Sequence, residues 1–110
     1  MRAKWNHKHG VTNVWSEPPL HGPERFKGKD SRPIHANQKP VRLLERLIMA
    51  SSDPGDIVWE PFGGLCSAAV AALRSGRKCF SAEINSDYFE LAKARLESEA
   101  SVLFAPARQK

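Results

Sequence analysis

The sequence predicts an α/β fold in which a few parallel strands with flanking helices follow a loop-rich segment. Three observations in residues 56–83 predict it. Ile57-Val58-Trp59 is a short β-branched and aromatic run of the kind that fills a buried parallel strand. Gly63-Gly64 is a tight turn where side chains would obstruct a positive φ or a close ligand, and an alanine-rich helix with Ala69, Val70 and Leu73 at helical spacing follows from Ser67. Ser75-Gly76 ends that helix, and Cys79-Phe80-Ser81-Ala82 forms a second strand closed by Glu83, 23 positions after Glu60. An acid about 20 residues beyond a glycine turn is where a nucleoside-binding βαβ unit holds its ribose acceptor. Gly63-Gly64 is not a GxGxxG fingerprint, so a ligand-free turn and a solvated strand-end acid stay open on spacing alone.

Taken in order, residues 1–39 form a loop-rich basic segment punctuated by Pro18-Pro19, Gly22-Pro23, Gly28 and Pro33. Val11-Thr12-Asn13-Val14-Trp15 is its only strand candidate. Arg25, Lys27, Lys29 and Arg32 follow in a polar stretch that suits phosphate contacts, or equally a solvated, mobile connector. Residues 40–98 are the expected α/β unit. Its first helix covers 40–51, with Pro40 tolerated in the first turn and Val41, Leu44 and Ile48 as an apolar stripe. Ser51-Ser52-Asp53-Pro54-Gly55 turns the chain into the first strand. After Glu83, Asn85 or Ser86 caps a helix whose inward stripe is Tyr88, Leu91, Ala92 and Leu96, with Lys93 and Arg95 outward. Residues 99–110 read as a tail in which Val102-Leu103-Phe104 is either an extra strand or an unstructured end.

Composition narrows the classes. At 110 residues the chain is one small domain, and no apolar run approaches a membrane span or a signal peptide. Cys66 and Cys79 lack zinc-ligand spacing, so no metal site is expected, and free thiols point to a reducing cytoplasm. The net charge of +5 is uneven: residues 1–50 carry ten Lys/Arg against four Asp/Glu, residues 51–110 seven against eight. A basic, aromatic-bearing front half suggests a polyanion partner, of which nucleic acid is the usual one; ordinary surface lysine and arginine is the alternative.

Several motifs in fixed order then resemble one family. His35-Ala36-Asn37-Gln38-Lys39-Pro40 precedes an amphipathic helix, a Ser-Ser-x-Pro-Gly-Asp turn and a strand ending in acidic-Pro-Phe-x-Gly; Glu83-Ile84-Asn85, Tyr88 and Arg95-Leu96 follow. With Asn13-Val14-Trp15 and Glu24-Arg25 ahead of it, this order over roughly residues 11–97 resembles the C-terminal, cofactor-binding half of permuted DNA amino-methyltransferases. Those enzymes methylate exocyclic amines of adenine (N6) or cytosine (N4), often within restriction-modification systems. The resemblance implies a partial Rossmann-like, S-adenosylmethionine-dependent methyltransferase fold. It implies that Glu60, Pro61, Phe62, Gly63 and Gly64 approach the methionine part of S-adenosylmethionine. Glu83, with Asn85 beside it, would accept from the ribose hydroxyls. His35, Gln38, Lys39 and Pro40 would close over the methionine end, Lys39 serving the cofactor carboxylate.

Three departures qualify what the resemblance implies. Glu60 replaces the family's usual aspartate, and Gly64-Leu65-Cys66-Ser67-Ala68 stands where Gly-Ser-Gly-Thr-Thr is usual. The catalytic Asp/Asn/Ser-Pro-Pro-aromatic motif, whose acceptors take the amine protons while its ring stacks on a flipped base, has no counterpart. Ser16-Glu17-Pro18-Pro19-Leu20 carries an inserted glutamate and no ring, and reads as coincidence. In the permuted order the catalytic half comes first, so the chain is expected to begin too late to contain it and to be inactive alone, with no catalytic residue of its own. The expected partners are DNA and a catalytic half or second subunit, or a second copy through an exposed sheet edge. The alternative is an inactive remnant that binds nucleic acid or self-associates. A stand-alone enzyme using Glu17 or Glu83 is disfavoured, because neither acid has an aromatic platform for a base.

Overall fold

The computed structural model describes residues 14–35 and 37–105. Three helices and two strands follow a loop-rich approach: α1 (Val41–Ser51), β1 (Ile57–Glu60), α2 (Ser67–Arg74), β2 (Lys78–Ser81) and α3 (Ser86–Leu103). β1 and β2 pair in parallel, with Ile57 opposite Lys78 and Trp59 opposite Phe80, so α2 is the crossover of a βαβ unit. The expected α/β class and parallel pairing are both present.

α2 sits at the centre, against α1, α3 and both strands. Its Val70, Ala71 and Ala72 are fully buried with Val41 and Ile48 of α1, while Leu44, Val58, Cys79 and Leu96 close the cluster. Alanine serves here because a helix surrounded on so many sides needs close approach more than bulk; full burial of Val70 alone is worth about 1.5–3 kcal/mol. α2 ends in a Schellman motif: Gly76 at φ 74° donates to Leu73 O, and Arg77 N to Ala72 O at 2.7 Å. The Arg77 side chain, itself buried, then donates to Ser52 Oγ and Ser52 O, tying this turn to the end of α1.

The expectation of a buried first strand needs correction. Only one face of the sheet is covered; Val58 and Cys79 point to the helices, whereas Ile57, Trp59 and Phe80 are each more than 60 % exposed on the other face. α1 and α3 both pack against α2, and the short sheet has one bare face among the described residues.

Smaller differences have local causes. Pro40 lies outside the first turn as the N-cap of α1, whose leading amide, Val41 N, is satisfied by Glu24 Oε1 at 2.6 Å. Between the two candidate caps, Asn85 is used: Oδ1 accepts from Asp87 N and Tyr88 N. The second strand begins one residue before Cys79 because Lys78 N already donates to Asp56 O. Val102-Leu103-Phe104 is neither strand nor unstructured end: α3 continues to Leu103 and Phe104 is its C-cap. Arg95 does not face outward; it folds back onto the turn before α2.

The approach segment is also ordered by named contacts. Residues 26–34 form a small hairpin with a Lys27–Pro33 bridge, closed by Gly28 N to Arg32 O and Ile34 N to Phe26 O. Of the strand candidate Val11–Trp15, residues 11–13 lie outside the described residues, and Val14 and Trp15 are not in a strand. The Trp15 ring lies under the Arg46 guanidinium at 4.7 Å.

Candidate functional site

The chain leaves β1 at Glu60, whose Oε1 accepts from Phe62 N at 2.9 Å and tightens the first bend. Gly63 N then donates to Ala82 O at 2.7 Å, which brings the turn across the carboxyl end of β2. Glycine is required there, because a β-carbon on Gly63 would stand 2.1 Å from Ser81 Oγ and 3.2 Å from Ala82 O. Gly64 has φ 54°, and its β-carbon would meet His35 Nε2 at 3.0 Å. Gly63 answers to the close approach of Ser81 and Ala82, and Gly64 to its left-handed backbone.

Glu83 is the hinge of the site. Its Oε2 accepts from Gly64 N at 2.7 Å and its Oε1 from Asn85 N at 2.9 Å, so one carboxylate joins the glycine turn to the start of α3. The Asn85 amide first, then the Gly64 amide, hold its pKa below the usual carboxylate value, and the nearby His35 adds to this. A carboxylate accepts at about four lone-pair sites, so two amide partners leave acceptor capacity on a group fixed in place by backbone.

These elements enclose a cavity of about 330 Å³ at the carboxyl end of the sheet. That is within the usual size range of ligand sites, about 300–1,000 Å³, and open α/β sheets bind ligands at this end. Of the residues expected from sequence, His35, Gln38, Lys39, Glu60, Phe62, Gly63, Gly64 and Glu83 line it. Pro61 lines an adjoining cavity of about 390 Å³ with Phe62, Ala82, Glu83 and Ile84. Pro40 and Asn85 line neither; the first is the N-cap of α1 and the second caps α3. Gln38 is also a structural clamp, because its buried amide accepts from Phe26 N and donates to Glu24 O.

Five lining residues escaped sequence reasoning: Asn37, Leu44, Leu65, Ser67 and Ala68. Leu44 reads as core from helical periodicity, and nothing in a linear pattern distinguishes a core side chain from one at a cavity floor. Cys66, at the family's glycine position, has φ 58° and ψ 37°. A side chain in that left-handed region costs roughly 1–2 kcal/mol; here the buried thiol packs with Ala69 and Ala92 and lies 3.5 Å from Ser81 Oγ. Burial raises the Cys79 pKa to about 11, with Cys66 and Glu60 adding to it, so this thiol is neutral near neutral pH.

The four basic residues named from sequence are brought to one region but not to one state. Lys27 and Lys29 are exposed on the hairpin, Arg32 is exposed and 3.6 Å from Asp30, and Arg25 is half-buried. Among the described residues, no group of three or more His, Cys, Asp or Glu side chains could hold a metal ion, and no described helix is long and apolar enough to cross a membrane.

A parallel βαβ unit whose glycine turn is bonded to an acid at the end of the next strand has, as a class, the architecture of the nucleotide-binding α/β folds. Comparison with known proteins narrows the class. The chain belongs to the DNA methylase family N6_N4_Mtase, which matches residues 2–94. It is 42 % identical over 93 residues to the DNA adenine methyltransferase YhdJ of Escherichia coli, covering 84 % of this chain and 30 % of that protein. It is 40 % identical over 88 residues to the type II methyltransferase M.HpaI of Haemophilus parainfluenzae, covering 80 % and 26 %. The chain thus spans less than a third of these curated relatives. Among solved structures, the M1.HpyAVI–SAM complex superposes with TM-score 0.70 at 26 % identity over 86 % of this chain and 44 % of that one. Thermus thermophilus TTHA0409, complexed with S-adenosyl-L-methionine, superposes with TM-score 0.54 at 39 % identity over 56 % and 25 %. The fold is that of these methyltransferases.

Proposed function

We propose that this chain binds S-adenosylmethionine in the two adjoining cavities around Glu83 and forms the cofactor-binding part of a DNA amino-methyltransferase. The observation that carries this is the bond from Gly64 N to Glu83 Oε2: it sets an acid with free acceptor sites against a glycine turn at the mouth of a cavity. The residues fit such a cofactor. Glu83 offers acceptors to ribose hydroxyls, the Lys39 ammonium offers a charge to a carboxylate, and Glu60 offers one to an ammonium. Phe62 and Ile84, highly exposed on either side of Glu83, give apolar surface for a base. Relatives solved with this cofactor support the reading.

When bound, the cofactor would supply an electrophilic methyl group for an exocyclic amine of adenine or cytosine. The role of this chain is then positioning and exclusion of water, which is where well-oriented bimolecular reactions gain most. The acceptors and aromatic ring that hold the base would come from another segment or subunit, since no Pro-Pro-aromatic run occurs in the sequence. Lys27 and Lys29, on the exposed hairpin, would contact the DNA backbone with Arg25 and Arg32 beside them. Calorimetric titration of the folded chain with S-adenosylmethionine tests the cofactor claim: one saturable site is expected, abolished by Glu83→Ala. A folded parent chain that takes up no cofactor overturns it.

A further inference from the structure

α3 carries two side chains that leave the helix to touch residues lining the cavity: Tyr88 reaches His35 and Arg95 reaches Leu65 and Ser67. The Tyr88 hydroxyl donates to Ile34 O at 3.2 Å, and its ring lies 4.6 Å from that of His35 at 38°. Arg95 Nη1 donates to Leu65 O at 2.8 Å and to Ser67 Oγ at 3.0 Å, while its guanidinium lies 5.2 Å from the Phe26 ring. The two residues are seven positions apart, so they project from one face about 10 Å apart along the axis. They reach segments 54 and 30 positions away, one ending beside His35 and the other on Leu65 and Ser67, all three of which line the cavity.

We infer that Tyr88 and Arg95 are positioning residues for the cofactor cavity, Tyr88 acting through His35 and Arg95 through the Leu65–Ser67 turn; this rests on the cofactor reading above. The spacing of His35 from Gly64 is one dimension of the cavity, since a single added β-carbon on Gly64 would reach the imidazole at 3.0 Å. The imidazole is oriented from two sides: Nδ1 accepts from Asn37 N at 3.2 Å, and Tyr88 packs on the ring. Segment 34–38 has other anchors, Ile34 N to Phe26 O and the Gln38 amide to Glu24 and Phe26. Loss of the Tyr88 hydroxyl therefore shifts His35 without releasing the segment. Arg95 acts on the Leu65–Ser67 segment. Burial lowers its pKa, yet an arginine stays charged, and its planar fork serves one carbonyl, one hydroxyl and one ring at once. A lysine cannot reproduce that set.

The test is affinity for S-adenosylmethionine, measured by calorimetry at a temperature where circular dichroism shows every variant folded. Tyr88→Phe keeps the ring and removes one hydrogen bond, so binding weakens about fivefold. Arg95→Lys weakens it about tenfold, and the two losses add because they act through separate segments with no shared partner. In a His35→Ala background, Tyr88→Phe lowers the melting temperature as before but costs no further affinity; a merely structural role for the hydroxyl would not show that coupling. Full-affinity binding by Tyr88→Phe and Arg95→Lys, or additive rather than coupled losses for Tyr88 and His35, overturns the inference and leaves the cofactor reading standing. No binding by the folded parent chain overturns that reading, and the inference with it.

Discussion

The glycine turn and the basic hairpin are both short irregular segments, yet they are built on opposite principles. The turn at 62–67 is bonded from β1 by Glu60, from beyond β2 by Ala82 and Glu83, and from α3 by Arg95. The hairpin at 26–34 is closed mainly by its own backbone and carries its lysines into solvent. A pocket that holds a small molecule must fix several atoms at once, so each wall needs its own brace. A surface that meets a phosphate backbone needs charge more than geometry, and flexible side chains suffice.

The contrast can be broken most forcefully at Gly63. Gly63→Ala forces a β-carbon to within 2.1 Å of Ser81 Oγ; overpacking of this kind costs about 1–3 kcal/mol. Both a lower denaturation midpoint and loss of S-adenosylmethionine binding are expected, and an unchanged midpoint would mean the turn is looser than its bonds suggest. Next comes acid. Because the folded-state pKa of Glu83 is depressed, the stability it contributes is fully present above its unfolded value and is lost as pH falls through the lower folded value. Glu83→Gln should therefore lower the melting temperature at neutral pH and flatten the acid limb, so that the variant and parent profiles converge as pH falls below the usual carboxylate range. A parallel downward shift at every pH would count against this account. The smallest stability effect belongs to the hairpin. Lys27→Ala with Lys29→Ala should change stability by no more than about 0.5 kcal/mol and leave cofactor affinity intact. DNA binding should weaken uniformly across sequences, with the salt slope reduced by about one per lysine; an unaltered salt slope would remove these residues from the DNA face.

Much of this arrangement is legible in the linear chain because it rests on local chemistry. The helix over 41–51 follows from its apolar stripe, the turn from paired glycines, and the cap of α3 from Asn85. Glu83 was identifiable because a βαβ unit has a nearly constant length, which converts spacing into position. The misjudged residues are those whose partners lie far away in sequence. Arg95 looks outward on a helical wheel, since a wheel ignores a guanidinium long enough to reach a carbonyl 30 positions away. Gln38 lines the cavity, and its amide also clamps two backbone groups 12 and 14 positions earlier, a role that no local pattern announces.

The bare sheet face makes the same point at larger scale. Ile57, Trp59 and Phe80 have the composition of a strand covered on both sides, and that composition predicts burial. Coverage, however, belongs to what packs against the sheet, and here the described helices gather on the other face around α2. The sequence by itself determined the elements, their order, the glycine turn and the acid, because each follows from local propensity or fixed spacing. Tertiary structure alone decided which side chains brace the cavity, that Cys66 takes a glycine-like backbone, and that one face of the sheet is open. Those outcomes depend on distances between segments remote in the chain, which no local pattern encodes.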